Sequence, residues 1–386
     1  MNAASQSASP WLGMLALLFV AMFAFAFLRA EQQWQVAALA AVGTIGLLLM
    51  GRSNMRRIES SWAAHQSSMQ WTAIVLSAIV IFLFREDHFA LLMIATVMLF
   101  SVACLGLNVQ FGYAGVVNFA GAAFLGIGGY TAAMLTARPG IPHGFVILVA
   151  GLLAGLIGSL LILPLLRTRG HYAALITIAF AILFRTFLEV SDTFGGPQGL
   201  KVSGLRIFGW SFNDNIETPW GGEYSFYLNY VILSFLLLGV AVMLVRRLEY
   251  SWLGLSLDAV RIDETAASVF GFDVARWKIV AFTLGNALAG VAGAVYAMMT
   301  GFVAPANFTL AESLILVSIV ILGGVGNPIG ILPAAALVLI LPEKLQAIQE
   351  YRYLLFSLFV ILVLLFRPEG LLPRRMRVYA PRWRSP

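Results

Sequence analysis

Charge is what this sequence has least of. Only 11% of its 386 residues are Asp, Glu, Lys or Arg, where soluble domains carry about a quarter. Cysteine is nearly absent: Cys104 lies alone in an apolar run, which excludes an internal bridge and a disulfide-built secreted scaffold. Lysine is scarce as well. Three of the 24 cations are lysines, and most cations flank apolar runs instead of forming a patch, a membrane placement and not a nucleic-acid one. What is present is apolar surface, 60% of the residues, with a formal charge of +6. A chain of this kind is no soluble enzyme or disordered segment; it buries its surface in a lipid bilayer. The expected fold is all-α, a polytopic transmembrane helix bundle.

The chemistry-bearing groups are also missing. A Walker A loop needs Lys followed by Ser or Thr, and the three lysines precede Val202, Ile279 and Leu345. Ion-coupled carriers usually hold an acid deep in the bilayer. Here all eighteen acids fall in loops or near expected span ends, Glu189 and Glu312 coming closest to a span, and the four histidines (His65, His88, His143, His171) lie in loops or at span edges. No HExxH pair occurs, and no catalytic grouping is visible. No metal, cofactor or catalytic residue is expected, and work done across a membrane would draw its power from a partner ATPase.

About 20 apolar residues cross the hydrocarbon core. Candidate spans are 11–28, 34–50, 68–84, 89–107, 116–135, 145–166, 172–190, 226–245, 279–300, 311–323, 329–341 and 354–366. The first lacks a basic leader and a cleavage site, so it reads as a retained helix. The last three are short, and the pair 311–341 crosses or dips, so ten to twelve segments are expected. With the N-terminus inside, sixteen of the 24 Lys and Arg fall inside, seven outside, and Arg185 lies within a span. Both termini are therefore expected in the cytoplasm. Residues 191–225, rich in Gly and aromatics, fall outside. Residues 246–278, with ten charges in 33 positions, fall inside.

In LDAVRIDETAASVFGFDVARWK (Leu257–Lys278) Asp258 is placed to cap a short helix and Gly271 to end it, with Asp273 capping the next. Leu257, Val260, Arg261, Glu264, Ala267 and Ser268 recur at helical spacing on one face. That face is either a coupling helix seated in the cleft of a cytoplasmic motor, with Arg261 and Glu264 at the rim, or an amphipathic helix lying on the membrane. This stretch resembles the coupling region of ABC-importer permeases for branched-chain amino acids, and in particular the longer of their two paired membrane subunits. The resemblance runs on through AFTLGNALAGVAGAVYAMMTGFVAPANFT (281–309), ILVSIVILGGVGNPIGILPAA (315–335) and LPEKLQAIQEYRYLLFSLFVILVLLFRPEGLLP (341–373), with its closing RPEGL. Upstream, LGLNVQFGYAGVVNFAGAAFLGIGGYTAAML (105–135) resembles the family's glycine-rich segment, and residues 167–200 fit its next block. Where the family usually carries Gly-His, this chain reads Phe119-Ala120-Gly121, so no role for that histidine carries over.

The resemblance implies a permease domain at 89–373, extra N-terminal helices at 1–88 and a basic tail at 374–386. It implies Leu257, Asp258, Arg261, Asp263, Glu264, Ala267 and Gly271 as the coupling residues. The implied partners are a second, shorter permease subunit, two cytoplasmic ATP-binding subunits and a periplasmic substrate-binding protein, in a bacterial inner membrane. Urea-importer permeases share the architecture. An ion-driven carrier and a membrane enzyme are the other function classes weighed. Asn108, Gln110, Gly115 and Asn118 surround a glycine-rich break that either lines a pathway or packs helices through small residues and amide links. Gly285, Ala289 and Gly293, at i, i+4 and i+8, read as packing. Gly323, Gly324, Gly326, Asn327 and Pro328 form a sharp break, either a gate or a plain turn.

Overall fold

The computed structural model describes residues 10–30, 65–138, 140–168, 172–207, 209–217 and 223–344, with single residues between 32 and 43 and between 351 and 374. Along the chain run α1 (Pro10–Arg29), α2 (Gln66–Leu83), α3 (His88–Asn108), which continues into a π-helical turn (Val109–Tyr113), α4 (Gly121–Thr136), α5 (His143–Leu166) and α6 (Tyr172–Val190). Then follow α7 (Tyr227–Glu249), α8 (Trp252–Ile262), α9 (Glu264–Val269), α10 (Val274–Thr300), α11 (Leu310–Gly323) and α12 (Ile331–Lys344). The strands are two-residue pieces in three antiparallel pairs: β1 (Leu200–Lys201) with β6 (Phe302–Val303), β2 (Arg206–Ile207) with β3 (Trp210–Ser211), and β4 (Ile216–Glu217) with β5 (Glu223–Tyr224).

Among the described residues six helices are long and apolar enough to cross a bilayer: α3 with its π turn, α5, α6, α7, α10, and α11 with the short helical turn before it. Three shorter apolar helices lie at Gly13–Arg29, Trp71–Leu83 and Gly121–Thr136. The candidates 34–50 and 354–366 fall mostly outside the described residues, as does the tail beyond Arg374. One boundary differs clearly from expectation. The span expected at 116–135 begins as helix only at Gly121. Val116 and Val117 keep the run apolar, which hides a stretch of non-helical backbone from any hydropathy pattern.

The chain divides into two compact units. The first holds the described residues of Met1–Thr96, Phe212–Ser234 and Leu339–Phe359. In it α1 packs against α2. The Lys344 ammonium donates to the Leu28 and Ala30 carbonyls at 2.7 and 3.1 Å, meeting oxygens that the C-terminus of α1 leaves unpaired. Ser225 joins the start of α3 through the His88 ring, 2.7 Å from its hydroxyl.

The second unit holds Val97–Ser211, Phe235–Val338 and the described residues of Val360–Pro386. Its axis is α10, which packs against α4 and α5. At 27 residues and about 1.5 Å each it is about 40 Å long. In lipid no hydrophobic force draws helices together, so close backbone approach through small residues must do it. A Cβ on Gly128 would lie 2.0 Å from the Gly290 carbonyl oxygen, and one on Gly293 2.0 Å from that of Leu125. The packing role expected for Gly285, Ala289 and Gly293 is what the geometry gives. The opposite face of α5 presents Leu148, Leu152, Leu156 and Leu160, all exposed, as a bilayer-covered surface requires.

Gly128→Val should therefore force α4 and α10 apart. Overpacking typically costs about 1–3 kcal/mol, so the variant should melt several degrees lower in detergent by nanoscale fluorimetry. Gly239→Ala, at a position with nothing within 4 Å of an added Cβ, should leave the melting temperature unchanged.

Candidate functional site

The second unit contains a break in a membrane helix and a loop tied to it. α3 leaves the α-helical pattern after Asn108, makes the π turn to Tyr113 and runs without helix to Ala120. Such backbone persists at membrane depth only if protein or a watery cavity meets its polar groups. Here side chains meet them. Phe119 N–H donates to Thr177 Oγ1 at 3.0 Å, Ala120 N–H to Asn118 Oδ1 at 2.8 Å, and Ala122 N–H to Ser313 Oγ at 3.1 Å.

A buried amide trio holds the break against α10. Gln110 Nε2 donates to Asn286 Oδ1 at 2.9 Å, and Asn118 Nδ2 to Gln110 Oε1 at 2.8 Å and Asn286 Oδ1 at 3.2 Å. All three residues are buried, and Gln110 also reaches the Phe282 carbonyl. Asn108, also buried, points elsewhere: its Oδ1 accepts from Gly326 N–H at 2.7 Å. Gly115 has φ +68° and lies against the Arg261 side chain. Of the four residues expected to line a pathway, then, Gln110 and Asn118 are brought together. Asn108 joins the turn after α11, and Gly115 faces the loop before α10.

The Gly112 carbonyl, at the end of the π turn, is the meeting point of two arginines. Arg261 Nη1 donates to it at 2.6 Å and Arg374 Nη1 at 2.9 Å. Arg374 also pairs with Asp258 through both of its terminal nitrogens, at 2.8 and 2.9 Å, and its guanidinium stacks 4.2 Å from the Tyr113 ring centroid. Cover over the Arg261 guanidinium, and after it repulsion from Arg374, lower the Arg261 pKa from its ordinary value, while Asp258 and Tyr113 pull the other way. Arginine starts so high that it stays charged.

The loop itself differs from the single helix expected between Asp258 and Gly271. Ser251 caps α8, its hydroxyl accepting from Leu253 N–H. Asp263 then breaks the helix and caps α9, its carboxylate accepting from Thr265 and Ala266 N–H at 2.8 and 3.0 Å. Asp258 is an interior residue of α8, not its cap, because its carboxylate is taken by Arg374. Gly271, at φ +83°, ends α9, and Asp273 caps α10, both as expected. Of the face drawn from helical spacing, Leu257, Val260 and Ala267 are buried, because α8 packs on α10 and the π turn, while Arg261, Glu264 and Ser268 are exposed. Glu264 pairs with Lys278 at 2.6 Å. Among the large apolar residues from 257 to 271, those left exposed are Ile262 at 69%, Val269 at 80% and Phe270 at 82%.

The break at 323–330 is a tight turn between α11 and α12. Gly323 and Gly330 meet backbone to backbone, and Gly324 and Gly326 take positive φ. The described residues 370–372 fold back on this turn. Leu371 N–H donates to the Leu322 carbonyl at 2.7 Å, and Asn327 Nδ2 to that of Leu372 at 3.1 Å, with Asn327 Oδ1 accepting from Ile329 N–H across Pro328.

Sequence reasoning missed Asn286, Arg374, Tyr113 and the exposed trio. Asn286 had a signal, a lone amide in the middle of the apolar run 279–300. Arg374 had none, since its partners lie 116 and 262 residues away. Asn286→Leu removes the acceptor that Gln110 and Asn118 share, and leaving a buried donor unmet costs about 1–3 kcal/mol. The single variants Asn286→Leu and Gln110→Leu should each lower the melting temperature. The double variant should lose less than their sum, as a double-mutant cycle in detergent would read.

The family model for the branched-chain amino acid transport system permease component matches residues 89–365. The high-affinity branched-chain amino acid transport system permease protein LivM of Escherichia coli K12 is 34% identical over 289 residues, which cover 72% of this chain and 68% of LivM. A probable branched-chain amino acid transport permease protein LivM of Methanocaldococcus jannaschii is 25% identical over 334 residues, covering 73% of this chain and 93% of its own. The E. coli K12 permease protein LivH is 24% identical over 296 residues, covering 71% and 91%. No solved structure gives a significant match. With its long apolar helices and nearly three quarters of its length matched, this multi-pass membrane protein belongs to the family of branched-chain amino acid transport system permease components.

Proposed function

We propose that the chain is one of two paired permease subunits of an ABC importer that carries branched-chain amino acids across a bacterial inner membrane. Its partners are a shorter permease subunit, two cytoplasmic ATP-binding subunits that hydrolyse ATP, and a periplasmic binding protein that delivers substrate to the side of 191–225. Greater similarity to LivM than to LivH supports the longer place in the pair.

One observation carries the mechanism: α8 is fastened to the broken membrane helix through the Gly112 carbonyl, Arg261, Arg374 and Asp258. A rigid-body displacement of α8–α9 by a closing ATPase would pull directly on the break and on α10, which continues from the same loop. Sidedness has independent support. The break, the α8–α9 loop, the turn at 323–330 and the segment 369–374 all meet in the second unit, and the Lys and Arg count assigns the last three to the cytoplasmic side, from which the break enters the membrane. β1 and β6 join 191–225 to the loop after α10, both assigned outside. Among the described residues, Asn108 Nδ2 and Asn286 Nδ2 are buried donors without an acceptor. In this reading Gln110, Asn118 and Asn286 border the substrate path, and the 323–330 turn acts as its gate.

The exposed tip of Ile262, Val269 and Phe270 is the surface that seats in the ATPase, with Leu257, Val260 and Ala267 as its internal support. Burying a Phe side chain is worth about 1.5–3 kcal/mol. Phe270→Asp should leave the purified chain as stable as wild type. It should lower ATP-driven leucine uptake by at least about tenfold in proteoliposomes holding the complete importer, and weaken co-purification of the ATPase. Normal uptake by this variant would sink the docking role.

A further inference from the structure

We propose that the cavity between α3, α4, α10 and the start of α11 is a transit site for an aliphatic amino acid, with Glu312 recognising the substrate ammonium. This rests on the amino-acid reading of function and names the group that reads the substrate inside the membrane subunit. The cavity, within the second unit, measures about 280 Å³, near the lower end of the size that single small organic ligands occupy, about 300–1,000 Å³. Glu312 is its one charged lining residue.

The walls divide by chemistry. Phe100, Tyr296 and Phe308 line it with aromatic rings, Phe100 standing edge-on to Tyr296 at 5.5 Å between centroids. Leu125 and Leu316 add branched aliphatic surface, and Tyr296 and Asn307 bring neutral hydrogen-bonding groups. A carboxylate among aromatic faces suits an ammonium, which gains both an ion pair and cation–π attraction. The aliphatic wall suits the side chain of valine, leucine or isoleucine, and the neutral donors suit a carboxylate without trapping it. A bare metal ion fits poorly: among the described residues no three His, Cys, Asp or Glu side chains gather anywhere. Urea offers neither a charge for Glu312 nor an aliphatic group for the leucines.

The cavity also stands where the break can change it. Ala122 and Leu125 belong to the first turns of α4, directly downstream of residues 114–120, and Ala122 N–H is held by Ser313 next to Glu312. A pull at Gly112 thus reaches one wall of the cavity along a single stretch of chain.

Glu312 has a plainer role to separate. Thr309 Oγ1 accepts its N–H at 3.2 Å, and Thr-x-x-Glu is the pattern of a capping box, in which Gln serves as well as Glu. Glu312→Gln therefore keeps the cap and removes the charge. In proteoliposomes holding the complete importer and its binding protein, with radiolabelled leucine as probe, Glu312→Gln should lower the maximal uptake rate about tenfold. ATPase stimulation by the loaded binding protein should stay within about twofold, and Glu312→Asp should recover part of the rate. A photoactivatable leucine analogue should label residues 296–316 in the wild type and fail to do so in Glu312→Gln. Wild-type uptake by Glu312→Gln would overturn the site and leave the functional reading standing, and so would joint loss of uptake and stimulated ATPase. A wild-type complex that takes up no aliphatic amino acid would overturn the functional reading itself.

Discussion

A polypeptide that abandons helical hydrogen bonding inside a membrane must have every freed amide and carbonyl met by protein, because hydrocarbon offers no partners. The stretch from Val109 to Ala122 lives under that constraint, and polar side chains of the second unit answer it. Thr177, Asn118 and Ser313 take its amides, and Arg261 and Arg374 take the Gly112 carbonyl. These side chains come from α6, the break itself, α11, α8 and position 374. One local irregularity thus recruits five parts of the chain, and moving any of them disturbs the backbone of the others.

The rest of the unit gives this joint a firm backing. α10 presses its glycines against the backbones of α3 and α4, where an added Cβ would stand 2.0 to 2.4 Å from a carbonyl oxygen. Packing that close leaves little room for independent motion of the three helices. The chain leaves helical geometry between the π turn and α4 and again at Asp263, which separates α8 from α9. The turn at 323–330 resembles the break in using backbone-to-backbone contact. It differs in being closed by the returning segment at 371–372, not by long side chains.

How much of this was legible in the sequence depended on range. Apolar runs, the Asp273 cap and the Gly271 stop are local signals, written within a few residues of the feature they specify. The same locality failed at Asp258. An Asp at the seventh position of a helix looks like a cap until a partner 116 residues away claims its carboxylate, and Ser251, seven positions earlier, does the capping. The start of α4 was misread because hydropathy counts Val116 and Val117 as span whether or not their backbone is helical. The cover over part of the loop's helical face was not legible for a related reason: periodicity identifies an apolar face but does not say what covers it. Here the chain covers its own Leu257 and Val260, and the exposed apolar residues stand off the period, Ile262 at the end of α8 and Val269 and Phe270 at the end of α9.

The charged contacts around the break are not equal, and their exposure ranks them. Lys278–Glu264 is short, but the Glu264 side chain is 58% exposed, and a pair in that position is worth about 0–1 kcal/mol. The Arg374 and Asp258 side chains are only 9% and 16% exposed. Removing one partner of a pair so enclosed typically costs about 3–5 kcal/mol, because the other charge is left without compensation. The loop is therefore held to the membrane helices by Asp258 and the two arginines, while Glu264 mainly steadies α9 against the first turn of α10. Two guanidiniums on one carbonyl with a single carboxylate between them also leave a surplus positive charge beside the end of the π turn, where the negative end of a helix dipole lies. That surplus is tolerable only while Gly112 keeps its carbonyl turned toward both arginines, so the loop and the shape of the break stand or shift together.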